Sequence, residues 1–310
     1  MARSAPPPAV LDPAVLASID SLDLIARGVV EGFLAGLHRA PHLGTSLDFA
    51  EHRPYQPGDD VRRVDWRLYG RTDRHYVRLF EAETNADVTL LVDVSRSMDF
   101  RGSDDRLTKL DYARYLAASL AYLASTQRDR VGLTTFAGDV VETIPPAARH
   151  RDLVLRALER AHAVDRPGSG LASAAEALGA ALRRRGLVGV VGDFYEAPER
   201  VEEAFSGLRS RGHDVIAFQV LDPWERRLPE LEATLFEDLE TGERLPVDPA
   251  AAGPAFRRRV EDHLRAVSAT LLALRVDHVL LDTATPLSVA LARFLVHRRA
   301  ALRTRGAAVR

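Results

Sequence analysis

A carboxylate and two hydroxyls recur at alternate positions in Asp93, Ser95 and Ser97. They stand at the carboxyl end of an apolar run, residues 88–94, and extended spacing of two places their oxygens on one side of the chain. Carboxylate and hydroxyl oxygens are hard ligands that suit Mg²⁺ or Mn²⁺. The pattern D-x-S-x-S therefore predicts a divalent-metal site, although serines in a strand-to-helix turn can instead cap the following helix.

Two further residues are expected to complete this site. Asp193 belongs to a second apolar run, residues 187–194, whose end should lie beside the end of the first. Ser169 lies in the loop before a predicted helix and can bring a hydroxyl to the same place, with Ser173 as the nearby alternative. The predicted metal ligands are thus Asp93, Ser95, Ser97, Ser169 and Asp193.

Apolar strands alternate with helices from residue 88 onward, which predicts an α/β fold with a doubly wound, mostly parallel sheet. Ligands of such sheets bind at the carboxyl ends of the strands, where the candidate ligands stand. The predicted strands are 88–94, 131–136, 140–144, 187–194, 214–221 and 276–282, and the predicted helices are 107–125, 150–162, 171–185, 198–210 and 286–301.

The chain divides into segments of different character. Residues 1–13 are proline-rich and are expected to be disordered. The predicted segments that follow are an N-terminal helix with an Arg/Asp-rich subdomain of loops and short strands (14–85), the sheet domain (86–303), a β-hairpin insertion within it (222–256) and a basic tail (304–310).

The composition limits the chemistry of any site. The chain has no cysteine, which excludes disulfides, thiolate zinc sites and iron–sulfur clusters. Its ten histidines form no recognisable metal-binding set, so a metal site must use oxygen ligands. Lys109 is the only lysine, and the formal net charge of −2 by itself indicates no partner.

Several partner classes are not expected. The chain has neither a G-x-G-x-x-G nor a P-loop pattern, so nucleotide binding by those loops is not predicted. The basic tail lacks aromatic residues on which bases could stack, so nucleic acid is not expected either. No secretory signal and no apolar stretch long enough for a membrane span occur, which predicts a cytoplasmic location.

A second motif, R-x-Y-x-x-G-D-D-x-R-x-x-D-W, occupies residues 53–66. Arginine and carboxylate side chains form planar bidentate pairs. We therefore predict a structural network that pins a loop-rich subdomain around Trp66, in preference to a direct ligand role. The predicted network consists of Arg53, Tyr55, Asp59, Asp60, Arg62, Asp65 and Trp66.

The first motif resembles the metal-ion-dependent adhesion site of the von Willebrand factor A (vWA) family. Asp93, Ser95 and Ser97 match its D-x-S-x-S element and Asp193 its final aspartate, while Ser169 stands where the family has threonine. The resemblance implies that a carboxylate from a protein partner completes the metal shell. It therefore implies a recognition module and not an enzyme.

The second motif, followed by an A-type sheet, resembles the bacterial family called domain of unknown function 58 (DUF58). The resemblance extends to residues 109–113, 129–133 and 238–243. It implies association with a MoxR-type AAA+ ATPase, and a role as substrate adaptor or co-chaperone in assembly or metal insertion.

An enzymatic alternative is a metal-dependent phosphatase or hydrolase that uses Asp93. Phosphatases of the haloacid-dehalogenase type place a nucleophilic aspartate at a strand end, typically within D-x-D. Here Ser95 stands in place of the second aspartate, and no clear basic partner loop follows. A non-enzymatic module is therefore the preferred interpretation.

Overall fold

The computed structural model describes residues 21–39, 51–56, 64–79, 86–166, 170–230, 234–239 and 242–307. Its strands are β1 (Glu51–Pro54), β2 (Tyr76–Leu79), β3 (Asp87–Asp93), β4 (Arg130–Ala137), β5 (Asp139–Ala147), β6 (Leu187–Gly192), β7 (Asp214–Leu221), β8 (Thr234–Glu237), β9 (Arg244–Val247) and β10 (Asp277–Asp282). Its helices are α1 (Leu22–Arg39), α2 (Trp66–Thr72), α3 (Lys109–Thr126), α4 (Arg151–Arg160), α5 (Leu171–Ala181), α6 (Pro198–Ser210), α7 (Pro223–Arg226), α8 (Pro249–Ala273) and α9 (Leu287–Ala307), with a 3₁₀ helix at Arg96–Asp99.

The central sheet has six strands in the order β10-β7-β6-β3-β4-β5. Every neighbouring pair is parallel except β4 with the edge strand β5. The strand β3 lies between β4, which follows it directly, and β6, which comes later in the chain, so the strand order reverses beside β3. The predicted doubly wound α/β fold is confirmed.

Helices cover both faces of this sheet because its central strands are apolar on both sides. On one face, residues such as Leu90 and Val92 of β3 join a core with α1, α3, α4 and α9. On the other face, Leu91 and Val190 pack with α5, α6 and α8. Strands buried on both faces are typical of parallel sheets enclosed by helices.

Two smaller sheets lie outside the central one. The strands β1 and β2 pair antiparallel, and β8 and β9 form the hairpin predicted for the insertion. The sequence did not predict α2, which begins at Trp66, nor the 25-residue helix α8. The predicted domain boundaries stay predictions, and residues 1–13 and 308–310 lie outside the described part of the chain.

None of the helices in the described part of the chain is long and apolar enough to cross a bilayer.

Candidate metal centre

The two predicted aspartates meet at the edge of the sheet where its parallel strands end. Asp93 is the last residue of β3 and Asp193 directly follows β6, which pairs with β3 through Val92 and Val191. Both aspartates are only 2% exposed. Glycine at position 192 favours their close approach, because a Cβ there would lie 3.1 Å from the Cβ of Asp93, a tight contact. We call this end of the sheet the carboxyl edge.

The two serine hydroxyls join the aspartates into one cluster. The Ser95 amide donates to Asp93 Oδ1 at 2.8 Å, the Ser95 and Ser97 hydroxyls lie 3.1 Å apart, and the Ser97 hydroxyl donates to Asp193 Oδ2 at 2.9 Å. Adjacent ligands of an octahedral Mg²⁺ ion, each about 2.1 Å from the metal, lie about 3 Å apart. The oxygen separations in the cluster therefore fit Mg²⁺ coordination.

The alternate spacing of Asp93, Ser95 and Ser97 predicted an extended backbone, but the backbone is not extended throughout this segment. The strand ends at Asp93, and Ser97 belongs to the 3₁₀ helix Arg96–Asp99, so a helical turn and not extended spacing orients its hydroxyl. Ser95 occupies the N-cap position of that helix, but its side chain makes no capping hydrogen bond. The Ser95 hydroxyl therefore does not cap this helix.

The fifth predicted ligand is not described. Ser169 lies outside the described residues and its role stays a prediction. The alternative, Ser173, is exposed and donates its hydroxyl to the Gly170 carbonyl at 2.9 Å, within the first turn of α5. In the described part of the chain, no three His, Cys, Asp or Glu residues converge as a metal cluster, so the centre depends on its serine oxygens.

Two residues that the sequence analysis did not place in the site lie against Asp193. The Lys109 ammonium is 0% exposed and donates to Asp193 Oδ2 at 2.8 Å and to Glu225 Oε1 at 2.6 Å. It also lies 5.4 Å from the centre of the Tyr195 ring. The only lysine of the chain is thus the internal cation of this cluster.

The buried charges of the cluster do not balance. Three carboxylates, those of Asp93, Asp193 and Glu225, face a single ammonium, so the fully ionised cluster carries an excess of negative charge. Burial, together with the nearby Asp193 charge, raises the pKa of Asp93 to about 8. Burial opposes ionisation of Asp193 as well, but the Lys109 ammonium outweighs it and holds the pKa of Asp193 below its usual range.

The pKa values of Lys109 and Glu225 are shifted by the same two effects, burial and the neighbouring charges. Burial opposes protonation of Lys109, but the charges of Asp193 and Glu225 outweigh it and raise the pKa of the ammonium. Burial raises the pKa of Glu225 despite that ammonium. A divalent cation beside Asp93 would supply the positive charge that the metal-free cluster lacks.

A strained residue positions the end of β6. Phe194 is buried, packs edge-on against Phe205 and has a φ of 53°, a left-handed conformation that is unfavourable for an aromatic residue. Its carbonyl accepts a hydrogen bond from His263 Nε2 at 2.8 Å, and the ring of His263 stacks on Tyr195. This turn leaves Tyr195, 41% exposed, at the entrance to the cluster.

The predicted Arg/Asp network is only partly described. Trp66 is 58% exposed, and the network predicted around it stays a prediction. Its ring contacts Tyr69 and His75, and His75 also contacts Tyr55. Asp59, Asp60 and Arg62 lie outside the described residues, and Arg53 is described only as a backbone position of β1.

Asp65 is buried and begins α2, because its Oδ1 accepts the Leu68 amide at 3.1 Å. We expect Asp65→Ala to lower the free energy of unfolding by about 1 kcal/mol, the usual effect of losing an N-cap. Asp65→Asn keeps an acceptor oxygen and should lose less than half as much in chemical denaturation. Equal losses in the two variants would show that the negative charge of Asp65 contributes more to stability than its N-cap hydrogen bond. That result would support the predicted network of arginine–carboxylate pairs.

Comparisons with known proteins place this chain among relatives. The family model described as "Protein of unknown function DUF58" matches residues 51–270. Uncharacterized proteins of Mycobacterium tuberculosis and Mycobacterium bovis are 32% identical to the chain over 287 residues, which span 87% of this chain and 89% of each of theirs.

Comparison with solved structures gave matches at low sequence identity. The conserved hypothetical protein BatB from Bacteroides thetaiotaomicron is 17% identical, with a TM-score of 0.50 over 70% of this chain and 99% of its own. A von Willebrand factor type A structure from Catenulispora acidiphila is 13% identical, with a TM-score of 0.41 over 71% of this chain and 42% of its own.

Proposed function

The chain belongs to the DUF58 family, and from that premise we propose that it is a non-enzymatic, divalent-metal-dependent protein-interaction module. Asp93, Ser95 and Ser97, with Ser169 and Asp193, would hold Mg²⁺ or Mn²⁺. The partner is a protein that offers a carboxylate to this metal. The family resemblance favours a MoxR-type AAA+ ATPase as that partner, with this chain as its cytoplasmic adaptor or co-chaperone.

The observation that carries the proposal is the uncompensated charge of the buried cluster. Burying a carboxylate without a partner is unfavourable, and proteins relieve such charge by protonation, by pairing or by binding a cation. In this cluster Lys109 compensates part of the charge of Asp193 and Glu225, while no salt bridge in the described part of the chain engages Asp93. The hydroxyls beside Asp93 are spaced as Mg²⁺ ligands are.

When bound, the metal supplies a Lewis-acidic position that an incoming carboxylate can occupy. Residues of this chain hold the predicted metal ligands in place. The Ser95 amide donates to Asp93, and the Ser97 hydroxyl donates to Asp193. The Lys109 ammonium compensates part of the negative charge of Asp193. Tyr195 lies beside the entrance, where an approaching partner would meet it.

Calorimetry tests the metal. Chelator-treated wild type is expected to bind one Mg²⁺ or Mn²⁺ ion, and Asp93→Ala to lose this binding because the central carboxylate is gone. Asp99→Ala is the matched control, since Asp99 is an exposed carboxylate in the same segment and should leave the binding unchanged. Equal titrations for the wild type and Asp93→Ala would overturn the metal assignment.

Capture of a co-encoded MoxR-type ATPase tests the partner. We expect capture with Mg²⁺ and its loss with chelator or with Asp93→Ala. Equal capture under all three conditions would move the interface away from this cluster. Mg²⁺-dependent hydrolysis of p-nitrophenyl phosphate that Asp93→Asn abolishes would instead show an enzyme.

A further inference from the structure

A row of exposed arginines lies at the opposite end of the sheet from Asp93 and Asp193. Three adjacent strands, β6, β7 and β10, each begin after a turn that carries arginine. We call these residues the basic edge; they are Arg183, Arg184 and Arg185 before β6, Arg211 before β7 and Arg275 before β10, and all are exposed.

Two turns of the basic edge, those before β6 and β7, contact each other. The Asp214 amide donates to the Gly186 carbonyl at 3.0 Å, and the Gly186 amide donates to His213 Nδ1 at 3.2 Å. A Cβ at Gly212 would lie 2.7 Å from Arg185 Nε, so the side chain from one turn lies directly over the next. The turns before β6 and β7 therefore form one continuous surface, and the turn before β10 lies at the same end of the sheet on the strand next to β7.

Much of the positive charge of the basic edge lacks a carboxylate partner. Asp214 pairs with Arg209 at 3.4 Å, and Asp277 pairs with His297. Within the described part of the chain, no salt bridge engages Arg183, Arg184, Arg211 or Arg275. The carboxyl ends of α5, α6 and α8 meet this surface, but three helix dipoles together offset only about one and a half charges.

The largest apolar exposure also occurs here. Leu272 is 77% exposed, more than any other large hydrophobic residue that the structure describes, and its carbonyl accepts the Arg275 amide. Tyr195, an exposed aromatic residue, stands at the carboxyl edge, so its ring cannot stack on a base bound at the basic edge. A leucine beside clustered arginines suits a bilayer surface, where guanidinium groups bind phosphate and the apolar chain enters the acyl boundary.

We propose that the basic edge docks the protein on a membrane surface rich in anionic phospholipid. Docked in this way, the chain binds peripherally and does not cross the bilayer. Because the basic edge and the carboxyl edge are opposite ends of the same parallel strands, the Asp93 cluster then faces away from the lipid. A protein partner in the aqueous phase can reach it.

Co-sedimentation of the full chain with vesicles tests this docking, in chelator so that the metal plays no part. We expect binding to vesicles of about one-third phosphatidylglycerol, no binding to pure phosphatidylcholine, and loss of binding in about 0.5 M NaCl. Each arginine near an anionic surface contributes about 1 kcal/mol, so Arg183→Ser with Arg184→Ser should weaken binding about 30-fold. Leu272→Ser should weaken it several-fold at unchanged net charge.

The matched control replaces a second pair of adjacent exposed arginines, Arg257 and Arg258 of α8, by serine. It removes the same charge from a different part of the surface and should weaken binding less than about threefold. Equal weakening by the two pairs would overturn the docking surface, as would equal binding to the two kinds of vesicle. Release from anionic vesicles by duplex DNA at equal phosphate concentration would show a nucleic-acid surface instead.

Discussion

Replacing Asp93 with asparagine is expected to make the metal-free protein more stable at about pH 8.5, although it removes the central residue of the cluster. The pKa of Asp93 is raised to about 8, chiefly by burial and then by the charge of Asp193. In the unfolded chain the same carboxyl ionises near its usual value of 3.8. Between these two values the folded state holds a proton that the unfolded state does not.

The sign of the effect follows from this difference in bound protons. Stability falls as pH rises wherever the folded state binds more protons, by about 1.4 kcal/mol per pH unit for one group. The wild type should therefore lose about 3 kcal/mol through Asp93 between about pH 5.5 and pH 8, and no more above it. Asparagine resembles the protonated acid, can still accept the Ser95 amide and has no such loss.

Chemical denaturation in chelator at the two pH values measures this contribution. The stability difference between Asp93→Asn and the wild type should grow in favour of the variant by about 3 kcal/mol from about pH 5.5 to about pH 8.5. Adding Mg²⁺ should stabilise the wild type alone, since the variant lacks the anionic ligand. Asp99→Asn, at an exposed carboxylate nearby, should follow the wild type. Parallel pH profiles for the wild type and Asp93→Asn would contradict the prediction.

The convergence of Asp93, Ser95, Ser97 and Asp193 could be predicted because it follows from fold topology. Parallel strands that are neighbours in a sheet must end at the same edge, so residues that follow two apolar runs meet there. That reasoning needs only the strands, whose apolar character is strong in the sequence. The path of the chain after Asp93 could not be predicted in the same way, and Ser97 reaches the cluster through a 3₁₀ turn.

The roles of Lys109 and Glu225 could not be predicted, because neither follows from local spacing. Lys109 begins α3 and Glu225 lies in α7, after a different strand, and they meet only in the folded protein. The Glu225 carboxylate is held by a capping box in which it accepts the Asp222 amide at 2.7 Å. The one available signal was that the only lysine of the chain follows the metal motif closely.

Two helices were missing from the prediction, for different reasons. The apolar residues Val260, Val267 and Leu271 of α8 recur at spacings of seven and four, so the sequence carries a helical pattern there that the prediction omitted. The helix α2, which begins at Trp66, has only seven residues, too few to show a helical period in the sequence. The ring of Trp66 is largely exposed there.

Removing the ammonium of Lys109 should have the opposite consequence to removing the carboxylate of Asp93. Lys109→Met leaves Asp193 and Glu225 buried without a cation, and breaking a buried ion pair from one side lowers stability by about 3–5 kcal/mol. The loss should be measurable in denaturant for the chelator-treated protein. Mg²⁺ should restore more stability in Lys109→Met than it adds to the wild type, because the variant cluster lacks more positive charge.

A double-mutant cycle with Glu225→Gln separates this charge effect from a loss of packing. If the destabilisation comes from the unpaired carboxylates, neutralising Glu225 should recover part of it, with a coupling of about 1–3 kcal/mol between the two positions. A packing defect at position 109 would instead add to the effect of Glu225→Gln. Additive losses, or Mg²⁺ stabilisation that does not increase in Lys109→Met, would show that Lys109 is not the internal cation of this centre. A coupled cycle would show that the Lys109 ammonium compensates the buried charge of Glu225 in this centre.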